Sequence, residues 1–542
     1  MPLVTSKSLS PGAAPASVVR ARPRLRESLL SGLLAAAVAV LVLLLGRLVF
    51  ARPGLLEAIA DGVVRYIPLG VFEQGLQTLG SLAKGTLFAG VVLGVLGAGA
   101  LFGPLAARST SRRGVVAAAL LTAGAVLALA EAVALPLAGA GFLGSSLRGD
   151  RLALHLPLVL ASFAYGGVLS GLLRGWEPAS TGQDVVTNAT TMRRRTFLGR
   201  TLAALGLGSL AASGLSVLLQ VRSVSSPQSA ASAPGLGSDP LGPTPAVTPV
   251  DDFYVVSKNL VSPAVDGSSW RFTIDGLVDT PASISMAELQ AMPSVEAYRT
   301  LECISTNIVQ GDHLIGNQLW RGVRIADLLD RAGVGGEARF VHWEAEDGYT
   351  ESIPLDTARH PETWIAYAMG DAPLTADHGF PARILIPGRF GMKQPKWVNR
   401  MTLAADDIDG YWEQRGWDHE AFVRTMSRID HPAPGATVPM GQAAPFTGIA
   451  FSGDRGIQRV ELSTDDGATW VQAEVEDASV PPLGPLTWVR WRAEITLDRE
   501  APVRVVVRAV DGQGGVQDGR ETSALPSGAT GWHAVRVIAT AG

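Results

Sequence analysis

The sequence predicts a chain in three parts: an α-helical membrane domain of five spans, an α+β domain, and a β-sandwich of immunoglobulin-like size. Three observations carry that division. Apolar residues make up 47% of the 542 residues, and the long apolar runs all fall before residue 220. A Ser-, Pro-, Gly- and Ala-rich stretch from Ser223 to Val250, almost free of charge, reads as a flexible tether between those runs and the rest. Beyond Met426, short alternating segments punctuated by Gly, Asp and Pro leave no helix of credible length. The expected boundaries are therefore a cytoplasmic segment 1–28, a membrane domain 29–222, a linker 223–250, an α+β domain 251–425 and a sandwich 426–542.

The spans are Leu29–Phe50, Leu82–Phe102, Val115–Leu137, Leu152–Leu173 and Phe197–Leu219. Each is long enough to cross a hydrocarbon core of about 30 Å. Their many Ala and Gly residues allow helices to approach closely in the lipid bilayer. Lys7, Arg20, Arg22, Arg24, Arg26, Arg108, Arg112, Arg113, Arg174, Arg193, Arg194 and Arg195 flank one side of the spans. Only Arg52, Arg65, Lys84, Arg148 and Arg151 flank the other. The positive-inside bias then sets the N-terminus in the cytoplasm, and an odd number of spans puts everything after Leu219 outside it, on a multi-pass protein of the cell membrane.

The fifth span opens with Arg194-Arg195-Thr196-Phe197-Leu198-Gly199, which resembles an internal twin-arginine export signal. The same arginines also suit an ordinary cytoplasmic flank, and the residues leave both readings open. Glu131 lies inside the third span, where a carboxylate is expensive unless it meets a helix partner, a proton path or the membrane edge. His155 is the single histidine of the spans, so they cannot supply both axial ligands of a bis-histidine haem.

In the α+β part, Trp270–Ile274 reads as a strand ending at the Asp275-Gly276 turn. Ser285 and Glu288 have capping-box spacing at a helix start. Ile325–Ala332 has helical apolar spacing, and Arg339–Trp343 and Arg383–Ile386 read as strands. In the sandwich the strands are Phe446–Ser452, Ile457–Ser463, Thr469–Val475, Trp488–Ile495 and Val503–Val510, with Asp465-Asp466-Gly467 as a hairpin turn.

The formal net charge of -4 argues against a general nucleic-acid binder. A lone cysteine, Cys303, excludes an internal disulfide and any Cys-rich zinc or iron–sulfur site. A thiol of this kind either fills a core or serves as one soft ligand to a metal. No HExxH, nucleophile elbow, phosphate-binding glycine loop or dinucleotide fingerprint follows the spans. The stretch from His378 through Arg383 to Pro387-Gly388-Arg389-Phe390-Gly391-Met392-Lys393-Gln394-Pro395-Lys396-Trp397 suits an anionic ligand. Gly388 and Gly391 permit close backbone approach, and Arg383, Arg389, Lys393 and Lys396 supply positive charge. A solvated basic turn is the plainer account of the same residues.

Taken in order, Asp252-Phe253-Tyr254, Cys303, Asp312–Val323, Asp347–Leu355, His378–Arg383 and Pro387–Trp397 resemble the sulfite oxidase family of molybdopterin enzymes. The likeness continues through Glu413-Gln414-Arg415-Gly416-Trp417, Ser463–Trp470 and Arg508-Ala509-Val510-Asp511, which are similar to that family's immunoglobulin-like dimerisation domain. The resemblance implies a molybdenum held by a pterin dithiolene and by one protein cysteine, at the position of Cys303. It implies cofactor contacts at Tyr254, His378, Arg383, Gln394 and Lys396, and oxygen-atom transfer as the reaction.

One departure bears on substrate. Sulfite oxidases carry one arginine in an Arg-Asn-His segment and another shortly after the cysteine; here those regions read Ser257-Lys258-Asn259-Leu260 and Cys303-Ile304-Ser305-Thr306-Asn307-Ile308. The expected small-molecule substrate is therefore not sulfite, and sulfoxide reduction is the rival reaction. Asn259, Asn307, Asp312 and His313 are the expected pocket residues, although loop hydrogen bonding accounts for each of them separately. Electrons are expected to pass to or from a separate carrier, a cytochrome or a quinone-linked protein. A homodimer is the expected pairing unless the membrane anchor replaces it. The reading from a different class is a cofactor-free, membrane-anchored binding or structural protein that keeps the fold.

Overall fold

The computed structural model describes residues 25–50, 54–64, 66–67, 71, 75, 83–110, 114–137, 141–144, 151–175, 239, 241–259, 262–263, 265–310 and 314–541. The expected fifth span Phe197–Leu219, the arginine pair before it, and Asp312 and His313 lie outside the described residues.

Among the described residues, four helices are long and apolar enough to cross a membrane, over Leu25–Arg47, Gly85–Ala107, Val115–Leu137 and Leu154–Leu173. They match the first four expected spans. Glycine lets them touch backbone to backbone. A methyl group at Gly103 would collide with the Ser28 carbonyl oxygen, and one at Gly166 with that of Ala119. Two ionisable pairs stand inside this bundle. Glu131 lies in a π-helical turn, Ala130–Ala134, and its carboxylate is 2.8 Å from His155 Nδ1. Arg47 meets Glu57, which stands on the short helix Leu55–Val64. A helix partner is thus the account that holds for Glu131.

The α+β domain contains two sheets. The first runs in the order Ala282–Ser285, Arg271–Gly276, Val398–Ala404, Phe340–Ala345, Thr350–Pro354. The second runs Val295–Glu302, Ile315–Arg324, Trp364–Met369, Ala372–Pro373, with Arg383–Leu385 also paired to Trp364–Met369. Helix Ile325–Ala332 buries Ile325, Leu328, Leu329 and Ala332 against Trp270, Phe272, Val341, Trp343 and Ile384, which is the apolar face its spacing predicts. Ser285 caps Met286–Gln290 by the full reciprocal box with Glu288.

The C-terminal part is two facing sheets. Met426–His431, Ala443–Phe451, Val489–Thr496 and Glu474–Val475 form one. Thr437–Pro439, Ala534–Thr540, Pro502–Asp511, Ile457–Ser463 and Val471–Gln472 form the other. Phe446 and Trp491 of the first pack against Val460, Leu462, Val505 and Val537 of the second. Asp466 and Gly467 take positive φ at the expected turn between Ile457–Ser463 and Val471–Gln472. The strands Met426–His431 and Ala534–Thr540 add to those the sequence predicts.

The α+β domain and the β-sandwich share a core. Ile304, Ile308, Phe390 and Met392 pack on Val423, Met426, Ile449, Phe451 and Trp488. The flexible linker expected up to Val250 ends earlier than that. Asp239 pairs with Arg490, and Thr244 Oγ1 donates to Asp430. The Ala246 carbonyl accepts from both Asn317 Nδ2 and Trp488 Nε1, and Thr248 accepts from Gln318 Nε2. The buried amides and indole of both domains draw these residues into ordered structure.

Candidate functional site

Strand Val295–Glu302 pairs antiparallel with Ile315–Arg324, and Cys303 is the first residue past its end. Its N–H donates to the Leu314 carbonyl at 2.9 Å, closing the mouth of the hairpin. The thiol is 8% exposed and lies 3.0 Å from Ser305 Oγ. Around it pack Phe253, Tyr254, Leu301, Leu314, Trp320 and Leu385. Cys303 is therefore a core thiol by position, yet its neighbours are polar as well as apolar.

Tyr254 stacks on Phe253 with ring centroids 5.3 Å apart. Burial holds its phenol far above the ordinary range, with a smaller push from Cys303 and a smaller pull down from Arg383. These three side chains thus share one buried site. Arg383 opens the short strand Arg383–Leu385, paired to Trp364–Met369. Its two long hydrogen bonds run to the carbonyls of His378 and Gln394, both at 3.4 Å, and its Nε has no partner. Burial pulls its guanidinium down to about 10, with Tyr254 opposing. A buried cation held this loosely is short of an acceptor.

His378 lies edge-on to Phe253 and is 3.3 Å from the Val250 carbonyl through Nε2. Burial and the Arg383 charge lower its imidazole to about 4, so it is neutral at neutral pH. Lys396 Nζ donates to the Asp377 carbonyl and sits over the Trp397 ring. Gly379 joins these residues at φ +110, where a methyl group would meet Lys396 Cβ at 3.0 Å and Arg383 Cβ at 3.1 Å. Gly391 brings the following turn against Tyr254 Oη and the Glu302 carbonyl, 3.1 and 3.4 Å from an added methyl.

The expected site residues do not all behave alike. Tyr254, Cys303, His378 and Arg383 converge, with Lys396 beside them. Gln394 is buried, but its side-chain amide is committed to the turn: Oε1 accepts from Ile386 N and Nε2 donates to the Arg389 carbonyl. Lys393 and Arg389, read as positive charge for an anion, are elsewhere engaged. Lys393 is bound by Glu351 and Glu413, and Arg389 pairs with Glu420 over the Phe422 ring. Asn259 is buried and donates to Asp347, which Lys258 approaches to 3.8 Å. Asn307 is buried in the loop after Cys303. Glu302 faces a cavity of about 20 Å³, room for one water, shared with Thr306, Gln517 and Thr530, and burial pushes its carboxyl up to about 8 against the pull of Arg428. Glu351 and Glu413 fall in family-like segments, but their pairing with Lys393 depends on partners distant in the chain.

Both domains match families of known proteins. Residues 259–412 match the family described as oxidoreductase molybdopterin binding domain, and residues 421–540 match the Mo-co oxidoreductase dimerisation domain. The uncharacterized oxidoreductase YuiH of Bacillus subtilis is 34% identical over 165 residues, covering 29% of this chain and 80% of that protein. The chain belongs to the sulfite oxidase family of molybdopterin oxidoreductases. Within that family, chicken sulfite oxidase is 29% identical over 309 residues, covering 49% of this chain and 67% of its own length. Barley nitrate reductase [NAD(P)H] is 30% identical over 323 residues, covering 49% of this chain and 36% of that enzyme. Sulfite oxidase family members are oxidoreductases that use molybdenum-molybdopterin, and the cofactor-free reading of this chain gives way to an enzyme.

Proposed function

We propose that this chain is a membrane-anchored molybdopterin oxidoreductase that transfers an oxygen atom to or from a small substrate other than sulfite, on the extracytoplasmic face. The observation that carries the cofactor site is Arg383: a buried guanidinium with an unpartnered Nε, in one buried cluster with Tyr254 and the Cys303 thiol, where Gly379 lets the Arg383 and Lys396 backbones pack closely. A pterin with an anionic tail fits that set. Cys303 would hold the metal as thiolate. Arg383 and Lys396 would hold the phosphate, and the neutral His378 ring and the Tyr254 hydroxyl would hydrogen-bond the pterin. Gln394 would act by shaping the turn. When bound, the cofactor supplies two-electron oxygen-atom transfer. Phe253 and Trp320, both buried, keep water from the thiol side.

Two features support a substrate other than sulfite. Lys258, the cation of the first substrate segment, is engaged by Asp347 and Asn259. The second segment turns Ile304 and Ile308 into the interdomain core. Absence of a charge-assisted partner for a dianion costs about 2–5 kcal/mol of binding. Asn259 and Asn307 remain the pocket residues of this reading, with Asp312 and His313 as further members. The five-span topology with a cytoplasmic N-terminus, the twin-arginine route, a separate electron carrier and pairing through the immunoglobulin-like sandwich complete it.

Metal analysis of the purified full-length chain tests the reading. About one molybdenum per chain is expected, with loss of the metal in Cys303→Ser. Full molybdenum in that variant would overturn the site assignment. A panel of sulfite, sulfoxides and N-oxides with an artificial electron carrier then tests substrate; rapid sulfite turnover would refute the substrate reading.

A further inference from the structure

Below the turn that carries Gln394 and Lys396 lies a line of ionisable groups for which the cofactor has no use. Glu351, fully buried on strand Thr350–Pro354, accepts from Lys393 Nζ at 2.6 Å. Lys393, also buried, binds the carboxylate of Glu413. The other Glu413 oxygen accepts from Gly410 N and is 3.9 Å from His419 Nε2. The His419 side chain is 42% exposed and also bonds Asp407 at 3.0 Å. A second branch returns inward: Ser352 Oγ donates to Asp407, and Ser352 N donates to Glu351 Oε1.

We propose that Glu351, Lys393, Glu413 and His419 form a proton line between solvent and the molybdopterin turn. This rests on the oxygen-transfer reading above. When a substrate X takes its oxygen from water, X and H2O become XO, two protons and two electrons; the electrons go to the separate carrier and the protons must leave a buried site. In the reverse direction the same protons must enter.

The geometry supports carriage over mere support. One lysine between two buried carboxylates leaves a net negative charge in the interior unless a carboxyl holds a proton, since unpaired buried charge is costly. Burial holds the Glu351 carboxyl well above its ordinary range, Lys393 pulling it down and Glu413 pushing it up. Its Oε2 has no hydrogen-bond partner. The inner end abuts the site: Tyr349, which feels Glu351, Asp347, Glu413 and Tyr411, donates its hydroxyl to the Met392 carbonyl at 2.6 Å. Gly391, the preceding residue, faces Tyr254 and the residue before Cys303. The outer end is the exposed His419, with Glu420 at 3.8 Å and Asp409 close by. The 3.9 Å step from Glu413 to His419 is closed by a small rotation or one bridging water.

The test uses the full-length, molybdenum-loaded chain with Glu351→Gln and His419→Asn. Infrared spectra should show protonated-carboxyl stretching intensity at neutral pH that shifts in D2O, with Glu302 supplying part of it and the Glu351 share appearing in the wild-type minus Glu351→Gln difference spectrum; this reading needs no turnover and applies to cofactor-free protein as well. His419→Asn should slow turnover roughly ten- to a hundredfold with unchanged metal content, and imidazole added to the buffer should restore it. A difference spectrum without a carboxyl band, or a His419→Asn defect that imidazole does not relieve, would overturn the proton line. Absence of molybdenum in the wild type would sink the enzyme reading instead, with the infrared band still reporting the proton held at Glu351.

Discussion

Replacing Lys393 by methionine removes the one cation between Glu351 and Glu413, whose side chains are 0% and 2% exposed. Methionine fills much the same volume but donates nothing. Glu413 then keeps only the Gly410 N–H and a distant His419 as partners, and Glu351 keeps only the Ser352 N–H. Breaking a buried pair by removing one partner costs about 3–5 kcal/mol, because a charge is left uncompensated. In a domain of this size that lowers the midpoint of unfolding by roughly 6–20 °C. Glu351→Gln is the control. It keeps an acceptor for Lys393 and mimics the protonated carboxyl, so its cost should stay within about 1 kcal/mol, a typical net hydrogen bond. The assay is thermal unfolding of the detergent-solubilised full-length protein, followed by tryptophan fluorescence. Equal losses from the two substitutions, or a Lys393→Met midpoint unchanged within error, would refute the reasoning.

Further outcomes follow from the same geometry. The His378 imidazole, lowered to about 4 from 6.5, stays neutral in the folded chain while the unfolded chain takes up a proton. Its contribution is therefore present above pH 6.5 and is lost as pH falls toward 4, by up to about 3 kcal/mol. Urea midpoints of cofactor-free protein at the two ends of that range measure the loss, and His378→Gln should flatten it. Gly391→Ala places a methyl 3.1 Å from Tyr254 Oη and should lower molybdenum content without changing the far-ultraviolet circular dichroism spectrum. Ser285→Ala breaks the capping box at Met286–Gln290 and should cost about 1 kcal/mol in chemical denaturation, with metal content unchanged.

Much of the fold was legible because its signals are local. Ile325–Ala332 carries its apolar face in its own spacing, and Ser285 with Glu288 announces a helix start three residues apart. Ala534–Thr540 escaped because Ile538, 44% exposed, stands where a polar residue would have marked the alternation. Val295–Glu302 escaped for the opposite reason: Arg299, Thr300 and Glu302 are buried, so no polar face is visible in the sequence. At the site, the order of Cys303, Arg383 and Lys396 along the chain points to side chains that the fold brings near one another. Lys393 was misread as ligand-facing, since the carboxylates that bury it lie 42 and 20 residues away. Nothing local could have revealed them.

The stretch from Asp239 to Thr248 bonds Asp430 and Arg490 of the sandwich and Asn317 and Gln318 of the neighbouring domain. Tension entering from the N-terminal side of the chain is therefore shared by both halves before it reaches the hairpin that bears Cys303. A recombinant fragment begun at residue 259, where family similarity starts, would discard this clasp. A cut upstream of Asp239 preserves it, and fragments of the catalytic half are best begun there.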